Sequence, residues 1–284
     1  MVERRPLLTL LAHVTLILGV LIVGFPIYLT IIASTQSAQQ IAQSSPISLL
    51  PGGHGAETWQ LVLFGGKSAM GSTLPSALPM LRISLISTLL IALGKITISL
   101  LSAFAIVYFR FPFRRFVFWS IFVTLMLPVE VRIGPTYQVV ANLGLLDSYA
   151  GLSLPLIASA TATFLFRQFF MTVPDELVEA SRIDGASPMR FLRDVLLPLS
   201  TTSIAALFVI QFIYGWNQYL WPLLVTTSEN MYPIMLGIRR LIAGESYTEW
   251  NVVMATALLA MIPPALVVML MQRWFVKGLV DSEK

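Results

Sequence analysis

Six long, mostly apolar runs, at about 10–33, 82–108, 116–136, 149–171, 202–225 and 253–275, set the limits on what this chain can become. About twenty such residues cross a bilayer as a helix. Inside lipid the backbone must satisfy its own hydrogen bonds, which leaves only helices or closed barrels. The runs are continuous rather than alternating, so they do not read as barrel strands. Composition agrees: 56% of the 284 residues are hydrophobic and 11% charged, against about 25% charged in ordinary soluble domains. The expected fold is an all-α membrane protein with six transmembrane helices. The first run is too long for a signal-peptide core and has no small-residue cleavage site after it, so it is kept as a helix, with a bend expected at Pro26.

The formal net charge of +4 is a matter of placement rather than of nucleic-acid binding. With the N-terminus inside, twelve Lys and Arg fall in the inner segments, from Arg4 to Lys284. Five fall outside (Lys67, Arg82, Arg132, Arg239, Arg240), and Lys95 lies within the second span. Positive residues favour the cytoplasmic side. Both termini and residues 172–201 are therefore expected in the cytoplasm. Residues 34–81, a long Gly/Pro/Ser-rich loop, and 226–252 then lie outside, as passive connectors or as docking surfaces. The chain has no cysteine and only His13 and His54, so no metal site is expected.

The segment 174–198 stands out because it is charged and sharply punctuated between apolar runs. Pro174, Asp175 and Glu176 read as a helix start, with carboxylates suited to the positive end of the helix dipole. Gly185 suits a helix stop at positive φ. Ser187-Pro188 reads as a cap and first-turn pair that restarts the helix, and Pro198 as a second stop. Two short helices at an angle are expected, near 174–184 and 188–196. Leu177, Ala180 and Ile183–Asp184 share a stripe on the first of them, and Ala180 and Ala186 beside Gly185 leave room for another backbone. From the residues alone this is either a socket for a soluble partner or a plain surface elbow.

The run Glu179-Ala180-Ser181, then Asp184-Gly185-Ala186, then Val195-Leu196-Leu197-Pro198 after Asp194, resembles the Glu-Ala-Ala loop of permease subunits of bacterial binding-protein-dependent ABC importers. Ser181 departs from the usual third Ala but is also small. Gly215-Trp216-Asn217-Gln218-Tyr219-Leu220-Trp221-Pro222-Leu223 resembles the fifth-span motif of the carbohydrate-uptake class, and Gln272–Leu279 its C-terminal end. More narrowly, Met126–Ile133, Leu146–Met171 and Gly278–Lys284 are similar to permease subunits of sn-glycerol-3-phosphate importers. The resemblance implies a single permease domain over 1–284 in the bacterial inner membrane, with a coupling-helix loop between spans four and five. It implies two ATP-binding cassette subunits, a second homologous permease, an external solute-binding protein and the membrane lipid as partners. It implies half of a route for a small hydroxylated solute, sn-glycerol-3-phosphate in the narrower match or a sugar in a related importer. ATP and Mg²⁺ would be held by the partner ATPase, and no cofactor by this chain. Glu179, Ala180, Ser181, Asp184, Gly185 and Ala186 would form the ATPase-coupling site.

No ATPase motif is expected in the chain itself. Gly65-Gly66-Lys67-Ser68 is the one tempting fragment, but a P-loop needs Gly at position 61, which is Leu. The candidate translocation residues are Lys95, Gln211, Tyr214, Trp216 and Asn217. A charge at mid-bilayer costs about 2.5–3.5 kcal/mol, so Lys95 should face a cavity or a partner carboxylate. It then either attracts anions or ties helices together. The amide and aromatic cluster of the fifth span suits a hydroxylated solute or interhelical hydrogen bonds. A self-contained secondary transporter is disfavoured by sparse ionisable relays and no evident repeat. An intramembrane enzyme is disfavoured because no span holds a readable catalytic set.

Overall fold

The computed structural model describes residues 6–44, 48–69, 71–124, 129–242 and 248–281. The chain divides into two compact units: Met1–Leu78 with Gly237–Met261, and Pro79–Leu236 with Ile262–Lys284.

In the first unit α1 (Pro6–Thr35) is one continuous helix despite Pro26. Its apolar side chains are exposed along most of the length, with burial only near its end at Ile32 and Ala33. The described residues of 34–81, a region expected as a loop, include regular elements. They hold α2 (Ala38–Gln43), α3 (Gly55–Phe64) and a hairpin of β1 (Gly66–Lys67) and β2 (Thr73–Leu74). The contacts that order them come from distant residues. Gly52 N donates to Thr35 Oγ1 at 2.9 Å and His54 N to Thr35 O at 2.9 Å. A Cβ at Gly52 would stand 2.5 Å from Thr35 O, so only glycine allows that approach. Ser68 donates to the buried carboxylate of Glu249, and Asn251 Nδ2 to Thr58 Oγ1 at 3.0 Å. The P-loop-like fragment is thus part of a hairpin and is not followed by a helix.

The second unit contains most of α4 (Ala77–Tyr108), then α5 (Arg114–Val123), α6 (Val129–Asn142), α7 (Tyr149–Ser153) and α8 (Ala160–Phe170). These are followed by α9 (Asp175–Ile183), α10 (Pro188–Phe191), a π-helical turn at Leu192–Leu196 and α11 (Leu197–Leu199). Next come α12 (Thr201–Trp216), α13 (Leu220–Val225) and the start of α14 (Ile234–Ile242). The last helix, α15 (Trp250–Asp281), begins in the first unit and ends in the second.

Among the described residues three helices are long and apolar enough to cross a membrane: Leu7–Thr35, Ala77–Tyr108 and Trp250–Gln272. They match the first, second and sixth expected spans. The fourth is a pair, Tyr149–Leu156 and Ala160–Phe170, bent by 50°, where Ser159 caps the second piece by accepting from Ala162 N. The fifth differs from the expected 202–225. Helix α12 ends at Trp216, and 220–225 is a separate short helix. Pro222 explains the break: in a continuous helix its ring would meet the carbonyl four residues back, whereas in the first turn of α13 it is tolerated. The third expected span, 116–136, and the outer segment 226–252 each cross residues outside the described set, 125–128 and 243–247.

Two buried clusters order the second unit. One joins Ile83, Ile91, Val140, Leu152, Leu156, Trp221 and Val225. Trp221 Nε1 donates to Gly151 O at 3.0 Å within it. Beside it Asp147 accepts from the backbone N–H groups of Thr227 and Ser228 at 2.7 and 2.8 Å. Those bonds, with that from the Thr227 hydroxyl, hold its carboxyl below the usual carboxylate range. The other cluster joins Ile96, Leu100, Ala103 and Phe104 of α4, Ala162, Phe166 and Phe170 of α8, Phe191, Leu192 and Leu196, and Leu207 of α12.

Candidate coupling segment and polar span residues

Helix α9 follows the end of α8 after a short turn, with Pro174 as its N-cap and Asp175 and Glu176 in its first turn. It ends in a paired hydrogen-bond cap. Gly185 N donates to Arg182 O and Ala186 N to Ser181 O, both at 3.0 Å, while Gly185 takes φ +68°. This is the Schellman arrangement. A Cβ at Gly185 would meet nothing within 4 Å, so what the position demands is the left-handed backbone rather than space.

No residue of α9 is buried. Val178 packs on the cluster of Phe166, Phe170 and Phe191. The expected stripe of Leu177, Ala180, Ile183 and Asp184 is exposed, as are Glu179 and Gly185, while Ser181 and Ala186 are half-buried. Ile183 is 86% exposed, a large apolar side chain in water on a charged helix. Sequence reasoning placed it on the stripe but gave it no role; its apolar character at that position was the available signal.

The chain then turns and restarts. Ser187 accepts from Arg190 N at 3.3 Å, with Pro188 in the first turn. Phe191, Leu192 and Leu196 are all buried, and the Phe191 ring meets Tyr108 edge-on at 5.4 Å. Tyr108 in turn donates to Phe170 O at 3.1 Å. Pro198 does not stop the helix as expected. Residues 192–196 form a wide π turn in which Leu197 N donates to Leu192 O. That register needs no N–H from residue 198 and moves the proline ring off the carbonyl it would strike in a regular helix. The helical path continues to Leu199 and then turns by 76° into α12.

Of the polar span residues, the structure brings Lys95 and Tyr214 together. Lys95 is 6% exposed, and its Nζ sits 3.5 Å from the centre of the Tyr214 ring. Within this chain the group it meets is an aromatic face, and such a contact suits a desolvated cation. Gln211 is buried, and Trp216 is buried and stacked on Phe212 with ring centres 5.8 Å apart. Asn217 caps the end of α12 and is exposed. Gly215 lets α12 approach α4 closely, its Cβ position lying 3.3–3.4 Å from Thr88. Among the described residues no group of three His, Cys, Asp or Glu is placed to hold a metal ion.

Comparison with known proteins identifies the family and the fold. Residues 95–281 match the family described as "Binding-protein-dependent transport system inner membrane component". The chain is 60% identical to the sn-glycerol-3-phosphate transport system permease protein UgpE of Brucella melitensis. It is 59% identical to that of Agrobacterium fabrum and 58% to that of Escherichia coli, each over 100% of both chains. Its fold is similar, with a TM-score of 0.79 at 20% identity, to a chain in the crystal structure of a bacterial ABC transporter involved in the import of the acidic polysaccharide alginate. That alignment covers 97% of this chain and 99% of the other. The chain belongs to the family of binding-protein-dependent transport system inner membrane components and is a membrane-spanning permease of an ABC transporter.

Proposed function

We propose that this chain forms half of the route by which an ATP-driven importer takes sn-glycerol-3-phosphate across the bacterial inner membrane. Both units act as one permease domain over 1–284, with both termini and the segment 174–198 in the cytoplasm. Two ATP-binding cassette subunits hold ATP and Mg²⁺ and supply the motor. A second, homologous permease completes the route. An external solute-binding protein meets the outer segments 34–81 and 226–252.

One observation carries the coupling role. A short helix with a fixed end, α9, presents an unburied face, while the piece of chain directly after it is locked into the cluster shared by α4, α8 and α12. A lever needs a handle outside and an anchor inside. Glu179 supplies charge on the handle, Ala180, Ser181 and Ala186 small surfaces for close approach, and Asp184-Gly185 the bend. The substrate is supported by the relatives, which carry that transport name over their full length.

Lys95, Gln211, Tyr214, Trp216 and Asn217 are the proposed pathway group. Lys95 with Tyr214 faces the anionic part of the solute, and exposed Asn217 its hydroxyls.

Reconstitution of the chain with its partners should give ATP-dependent uptake of sn-glycerol-3-phosphate. Uptake that needs no ATPase subunit would overturn the importer reading. Uptake of a neutral sugar in place of the phosphate ester would overturn the substrate. For the pathway, Gln211→Ala and Asn217→Ala should alter uptake kinetics at normal expression; unchanged kinetics in both would remove those residues from the route.

A further inference from the structure

At the end of the second unit that carries the coupling segment, a cavity of about 730 Å³ opens between the last turn of α4, α5 and α8. Three guanidinium groups line it, those of Arg114, Arg115 and Arg167, against an aromatic wall that includes Phe118, Trp119 and Phe122. No carboxylate is among the lining residues. Among the described residues the recorded ion pairs are those of Arg190 and Arg193 with Asp194, and none involves these three arginines. Arg167 lies over the Phe118 ring at 4.2 Å, and its Nε is buried with no hydrogen-bond partner. Arg114 Nη1 reaches only the Phe109 carbonyl, at 3.5 Å.

A buried guanidinium donor without an acceptor is costly, and like charges lining one groove repel, more strongly where walls exclude water. Bound anion relieves both. The guanidinium fork matches phosphoryl oxygens in pairs. Trp119 is 58% and Phe116 69% exposed beside the groove. An arginine and aromatic border of this kind marks the level at which lipid headgroups meet a membrane protein.

We propose that this groove binds a phosphate ester, its phosphoryl oxygens on Arg114, Arg115 and Arg167 and its organic part on the Phe118 and Trp119 wall. The ester is a phospholipid headgroup or a small soluble glycerol phosphate; the chemistry is shared. The proposal stands apart from the coupling role of α9, since a groove that binds nothing would leave transport coupling as described, and a failed uptake assay would leave the groove intact.

The test uses the full-length chain purified with its partners in a phosphate-free detergent. In one arm, phospholipid phosphorus retained after exhaustive washing is compared between the native chain and R114Q/R115Q/R167Q. In the other, sn-glycerol-3-phosphate is titrated while the fluorescence of Trp119 is followed, with Trp119→Phe to isolate its signal. A tenfold or greater loss of retained phospholipid in the variant supports the groove with a lipid source. Saturable quenching that the variant loses, and that weakens as salt is raised, supports it with a soluble source. Equal phosphorus together with identical titrations in both proteins overturns it. Should the triple variant fail to assemble, R114Q/R115Q, which leaves half-buried Arg167 in place, is read the same way, and a native chain that shows neither retention nor quenching also overturns it.

Discussion

The two halves of the proposed coupling segment use opposite physics. From Asp175 to Gly185 nothing is buried, and the helix is held by its own caps and by the packing of half-buried Val178. From Pro188 to Leu199 three large side chains are buried, and the chain is held by the bundle. The first half is locally encoded and free to be gripped. The second is encoded by its surroundings and obliged to move with them. In the proposed lever, a force applied to the first half passes to α4, α8 and α12 through the Val178 contact and the Gly185–Ser187 turn that joins the halves.

Substitutions can break this contrast. The largest expected stability effect is in the anchor: Phe191→Ala should cost about 3–5 kcal/mol, as for other large-to-small core changes, read as a lowered midpoint of thermal unfolding in detergent. A cost below about 1 kcal/mol would show that the second half is not anchored. Gly185→Val should cost about 1–2 kcal/mol of backbone strain. Its main signature should be ATP hydrolysis uncoupled from uptake in a correctly inserted protein, and normal coupling would remove the turn from the lever. Ser187→Ala should cost about 1 kcal/mol through the lost cap, measured in the same unfolding assay, with partial loss of coupling. Ile183→Ser should change stability by less than about 0.5 kcal/mol, as exposed positions do, while lowering the amount of ATPase that co-purifies. Unchanged co-purification would show that the exposed stripe is not the gripped face.

A pH test addresses another part of the same unit. Asp147 is held below its ordinary value by donors from Thr227 and Ser228. Its stabilising effect is present above the ordinary carboxylate pKa and is lost as pH falls through the depressed one. Asp147→Asn should therefore flatten the acid limb of the stability profile and leave the profile near neutrality sloping as before.

What was legible in the sequence follows the same division. The helix start at Pro174, the stop at Gly185 and the restart at Ser187-Pro188 were readable because caps act over three or four residues. The wide turn before Pro198 was not, because it exists only with Leu192 and Leu196 packed on distant helices. The helices and hairpin within 34–81 were not legible for a similar reason: their order comes from Thr35 on Gly52, Glu249 on Ser68 and Asn251 on Thr58. The long apolar runs announced the spans, but Pro222 and Ser159 broke two of them at places that hydropathy does not register. The burial of Lys95 was foreseeable from its cost in lipid. Its seat on Tyr214 was not, since nothing near residue 95 points to residue 214.

The π turn at 192–196 has a consequence for how this segment tolerates change. A turn of that width carries one residue more than a regular helix needs. Loss of one residue there tightens the winding and keeps both flanking faces in phase, whereas the same loss within 175–183 swings the exposed stripe by about 100° about its axis. The slack lies on the buried side, and the side offered to a neighbour has none.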